Sequence, residues 1–298
     1  MSAYRTPVDV PAGARVMSGE ARGIDRHRRL LLDLCHIGED PRAISTVAEL
    51  AGLLDLDLLG IFVEDEAVCS LASLPFAREL CLPVHEWSPL AIRRIEGEFQ
   101  AASSRLRTML DAHAARLGVA NRIEVLRGDP AAAVAALSGE TDIMVLGASG
   151  SAAAHMLGTF PRAWRAAIES PAAVLLLPSR IAHRTGPVAV LVKAGAGHKF
   201  ALAARIAKAT GEKLILLRSV HTEAGSVDAL ADVARAIGIA EDQVIVREAG
   251  DASTATLQIL MARTGGRLLA LDRPSVEDAS PDVARQLSQA LRIPVLLQ

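Results

Sequence analysis

The clearest chemistry in the sequence lies in a run of small residues. Gly147, Gly150 and Ser151, then Gly158 and Thr159, follow directly on the apolar stretch 143–146. Glycines after a parallel strand let backbone N–H groups approach phosphate oxygens, and the N-terminus of the next helix adds its positive dipole. No Lys or Arg lies between Gly147 and Thr159, so phosphate recognition here would rest on main-chain access rather than side-chain charge. A second glycine-bearing turn, 193–199, places Gly195 and Gly197 between Lys193 and Lys199. Phe200 stands where a dinucleotide fingerprint needs its third glycine, and a tight strand-to-helix turn with exposed lysines is the plainer reading. His36 and His155 are expected above the carboxyl ends of one sheet, with Cys35 adjacent, which would suit a metal or a thiol site. No third ligand has fitting spacing, and ordinary loop polar residues are the plainer reading. The sequence contains no H-x-G-H motif, G-x-S-x-G elbow or complete Walker A, so an enzyme is not expected and no catalytic residue is named.

Composition narrows the classes further. In 298 residues, 32 Lys and Arg balance 34 Asp and Glu, which makes a nucleic-acid partner unexpected. Aromatic residues are only 3%, too few for base-stacking platforms. No apolar run approaches the ~20 residues of a bilayer span, and residues 1–13 lack a signal-peptide core, so a soluble, cytoplasmic chain is expected. Three cysteines, Cys35, Cys69 and Cys81, cannot all pair and form no C-x-x-C unit, which fits a reducing compartment.

The elements that must position these residues alternate. Residues 1–28, with scattered Pro, Gly and Arg, read as a flexible arm. From 29 onward, short apolar runs alternate with Ala-rich stretches of helical period, the mark of an α/β fold with parallel sheets. Strands are expected over 30–35, 58–63, 123–126, 143–146 and 173–177, with helices over 42–54, 89–117, 130–137 and 161–168. An insertion, 64–88, carries Leu71, Leu74, Phe76, Leu80, Leu82 and Trp87. It is expected to fold over the crevice or onto the other domain, with a protein-partner surface as the alternative. After a polar linker, 178–187, the series restarts with strands over 188–192, 214–217, 244–246, 268–271 and 295–297. The turns correspond as well, with Gly128-Asp129 matching Gly250-Asp251, each Asp placed to cap the following helix. The pattern predicts an internal duplication, with domains over 29–180 and 187–298.

Element order, lengths and the segment Thr141–Thr159 resemble the universal stress protein family in a tandem two-domain form. The resemblance covers roughly residues 30–298. It implies two Rossmann-like, adenine nucleotide alpha hydrolase-like domains, each with strand order 3-2-1-4-5, paired as an intrachain pseudo-dimer near 173–177 and 295–297. Nucleotide-binding members carry G-x2-G-x9-G-[ST] in this loop. Here the first spacing fits, but only seven residues separate Gly150 from Gly158. Such members also place an Asp just after the first strand. Cys35 and His36 stand there instead, and Asp33 is expected within the strand. Val63 falls where backbone groups meet adenine. The implied site is therefore Cys35, His36, Val63, Gly147, Gly150, Ser151, Gly158 and Thr159, taking ATP or AMP with Mg. The second copy has Leu271-Asp272-Arg273-Pro274-Ser275 at the corresponding turn, without a glycine, and is degenerate. The implied function is a stress-response or regulatory protein. The alternatives are an ATP-hydrolysing or phosphotransfer enzyme and a protein interaction module whose glycines only shape a turn.

Overall fold

A computed structural model of the chain describes residues 28–81, 85–147, 159–192, 200–220, 224–273 and 282–298. The N-terminal arm lies outside them. In the first half the order is β1 (Arg29–Asp33), α1 (Leu34–Ile37), α2 (Pro41–Leu54), β2 (Asp57–Asp65), α3 (Glu66–Ala72), β3 (Arg78–Cys81), β4 (Glu86–Pro89), α4 (Ile92–Leu117), β5 (Asn121–Gly128), α5 (Pro130–Leu137), β6 (Asp142–Gly147), α6 (Thr159–Glu169) and β7 (Ala173–Leu177). The second half runs β8 (Val188–Val192), α7 (Ala201–Thr210), β9 (Leu214–Arg218), α8 (Ala224–Ile237), β10 (Val244–Glu248), α9 (Thr254–Thr264), β11 (Leu268–Leu271), α10 (Asp282–Leu291) and β12 (Val295–Leu297).

The halves do not form two separate sheets. One ten-stranded sheet runs β10-β9-β8-β11-β12-β7-β6-β1-β2-β5. Numbered within each half, both outer-to-inner series read 3-2-1-4-5, and the expected terminal strands meet at the seam. There β12 pairs antiparallel with β7, Leu296 opposite Leu175, while every other neighbour in this sheet is parallel. Every residue of β7 and β8 is buried. Such strands carry apolar residues on both faces because helices cover both. Alternation sends Leu30 and Leu32 into one core layer with Ile44 and Val47 of α2, and Leu31 into the other with Phe160 and Trp164 of α6.

Local chemistry sets the helix starts. Asp40 caps α2, accepting from the Arg42 amide at 2.9 Å, with Pro41 in the first turn. Asp129 caps α5 as expected, accepting from the Ala131 amide at 3.2 Å. In the second half the expectation needs correction, because the cap of α9 is Ser253. Asp251 stands two residues earlier and accepts from the Ser253 amide and the Thr256 hydroxyl, which holds its carboxyl below the ordinary range.

Of the two places expected for the insertion, the contacts favour its own half over the other domain. Helix α3 lies against α4, β2 and β5, and β3 and β4 form a separate two-stranded antiparallel sheet. Glu79 of that sheet is ion-paired to Arg94 of α4. Its outward face exposes Leu80 opposite Trp87, and Phe76 is 75% exposed. Among the described residues no helix is long and apolar enough to cross a membrane.

Candidate functional site

Ligands of open α/β sheets bind beyond the carboxyl ends of the strands, where strand order reverses. In the first half that point lies between β1 and β6, with β2 beside them. Strand β1 ends at Asp33, two residues earlier than the apolar pattern suggests, so Asp33 is not an interior strand residue. It caps the single turn α1, its carboxylate accepting from the amides of Cys35 (3.0 Å) and His36 (3.3 Å). Its second oxygen accepts from His36 Nδ1. An ionised carboxylate can only accept, so with Asp33 ionised Nδ1 is the donor in this pair. The His36 ring meets Phe160, in the first turn of α6, edge to face at 5.5 Å between centroids.

Cys35 points toward β2. Its thiol accepts from the Val63 amide at 3.1 Å and donates to the Val63 carbonyl at 3.4 Å. These are the backbone groups the family resemblance implies for adenine. Burial pushes the Cys35 thiol well above its ordinary range, and the carboxylates of Asp33 and Asp65 add to the rise. Asp65 ends β2 and caps α3, accepting from the Ala67 amide at 2.8 Å. Its other oxygen is buried with no hydrogen-bond partner.

Gly147, at the end of β6, has a packing reason of its own. A Cβ there would lie 2.9 Å from the His36 carbonyl oxygen, so α1 can rest on β6 only over a glycine. Gly150, Ser151, Gly158 and His155 lie outside the described residues, as does the turn 193–199. Thr159 is the first residue of α6. The structure thus gathers Cys35, His36, Val63 and Gly147 at one sheet end, and it adds Asp33, Asp65 and Phe160, which sequence reasoning did not include. The signal for Asp33 was present, since an Asp followed by three residues of a helical turn is a capping pattern. Phe160 could be placed only by tertiary packing. Among the described residues no group of three or more His, Cys, Asp or Glu side chains is placed to hold a metal ion.

No family model and no curated protein matches the sequence. Solved structures do. A universal stress protein from Archaeoglobus fulgidus DSM 4304 superposes with a TM-score of 0.62 at 13% identity, covering 91% of this chain and 96% of that one. A functionally unknown protein from Pseudomonas aeruginosa PAO1 gives 0.54 at 14% identity over 92% and 93%. A candidate universal stress protein from Pseudomonas aeruginosa UCBPP-PA14 gives 0.51 at 14% identity over 92% and 94%. The fold is that of the universal stress proteins, and the likeness extends across both halves.

Proposed function

We propose that the chain is a non-enzymatic regulatory protein of the universal stress type. It acts by binding other proteins, with a first-half pocket that its own α1 keeps filled and a second half that serves as a permanent partner. The observation that carries this reading is the occupation of the groups that a nucleotide's base and ribose would use among the described residues. The Asp33 oxygens are committed to His36 and two amides, both polar groups of Val63 to the Cys35 thiol, and the surface over Gly147 to the His36 carbonyl. With these groups so held, Asp33, Val63 and Gly147 offer a base or ribose no free partner.

One observation favours a second reading, nucleotide binding by the first half after α1 yields. Asp33 closes β1 near the place where the family resemblance implies an acid that holds ribose or adenine. Calorimetric titration of ATP with Mg²⁺ into the wild type and Gly150→Val separates the two. The proposal expects no binding heat and no ATP turnover in either protein. Tight binding to the wild type that is lost in Gly150→Val would establish the second reading instead.

A further inference from the structure

In the second half, the turn after β11 corresponds to the glycine loop of the first half and holds Arg273 in its place. The Arg273 backbone amide donates to the carbonyl of Gln298 at 3.0 Å, which fixes it to the end of β12. Its guanidinium crosses the seam. There it donates to the carbonyls of Ile168 (3.1 Å), Ser170 and Ala172, at and just beyond the C-terminal end of α6. The last carbonyls of a helix have no intrahelical partner, and the negative end of the dipole favours a cation. A planar fork that reaches three carbonyls is a task for Arg; Lys, a compact point charge, does not match it.

The other end of α6 touches the pocket. Phe160 meets the His36 ring, and Arg162 pairs with Asp129 at 3.3 Å, tying the first turn to the cap of α5. Phe160, Ala163, Trp164 and Ala167 form one buried stripe, so the helix is seated along its length. Eleven residues of helix span roughly 16 Å and transmit a displacement as a rod.

We propose that Arg273 is the latch by which the second half governs the first: by holding the C-terminal end of α6 it seats Phe160 against His36 and so keeps α1 packed in the pocket. This rests on the reading of α1 as a plug, but its test does not depend on any ligand. The first readout is hydrogen exchange across α6, and the second is the ring-proton resonances of His36 in the full chain, with Phe160→Leu as the reference for a lost ring contact. Arg273→Ala should speed exchange over residues 163–169 at least tenfold and move the His36 resonances toward their Phe160→Leu positions. Arg273→Lys should do both to a smaller degree, and it decides the matter should the Ala variant fail to fold. Faster exchange confined to residues 168–172 with His36 unmoved would reduce Arg273 to a local cap and overturn the proposal. A rise spread equally over α9 and β10 would overturn it as well, as general loosening. Tight ATP binding by the wild type would sink the plug reading separately, without touching these two measurements.

Discussion

A double-mutant cycle on Asp33 and His36 tests the closed pocket most directly. Asp33 is 4% exposed and makes three hydrogen bonds, accepting from the amides of Cys35 and His36 in α1 and bonding the His36 ring. Losing the cap costs about 1 kcal/mol, and stranding a buried ring N–H costs a further 1–3 kcal/mol. Asp33→Ala should therefore destabilise by about 2–4 kcal/mol. His36→Ala should cost about 2–3 kcal/mol, combining the edge-to-face contact with Phe160 and a carboxylate oxygen left without its donor. The double variant lacks both partners of the pair, so it should be about 1–2 kcal/mol more stable than the sum predicts. Urea unfolding of the four proteins measures this, provided the m-value stays constant across the set. Independent sites add within about 0.3–0.5 kcal/mol. A coupling inside that band would mean that the pair does not hold α1, and the argument for a filled pocket would lose its main support.

Gly147→Ala should cost about 1–3 kcal/mol by chemical denaturation, since its Cβ meets a backbone oxygen of α1 that no side-chain rotation can clear. The Cys35 thiol should resist alkylation in the folded protein at pH 8 and react once the chain is unfolded. Its folded pKa is raised, so above about pH 8.5 the unfolded chain releases a proton that the folded chain keeps. Stability should then fall by up to about 1.4 kcal/mol per pH unit, and Cys35→Ala should remove that part of the slope. Leu296→Ala, at the fully buried centre of the seam, should cost about 2–5 kcal/mol in equilibrium unfolding. Phe76→Ser should change stability by less than about 0.5 kcal/mol, because the side chain is mostly in water.

The alternation of apolar strands and amphipathic helices was legible because strands buried on both faces, such as 173–177 and 188–192, have to be written almost entirely in Ala, Val and Leu. The pairing of the two terminal strands was implied by the family resemblance, and their apolar composition is consistent with it. Details that depend on side-chain direction were not legible. Cys35 reads as an apolar continuation of β1, yet the chain leaves the strand at Asp33, whose carboxylate accepts from the amides of Cys35 and His36 in place of the sheet. The insertion's packing onto α4 includes the ion pair between Glu79 and Arg94, fifteen positions apart, which no periodicity announces. Arg273 looked like the remnant of a lost loop. Only the position of α6 across the seam gives its guanidinium three carbonyls to hold.

A sheet joined through β7 and β12 within one chain has consequences beyond architecture. Two separate subunits meeting at such an edge would part on dilution, and any substitution at their contact would appear on both sides of the axis at once. Covalent linkage fixes the effective concentration of one edge for the other, so the union survives at any abundance in the cell. It also frees each side to vary alone. Glycines can be kept on one side of the seam while a single arginine takes their place on the other, a combination that a symmetric pair of identical chains could not hold.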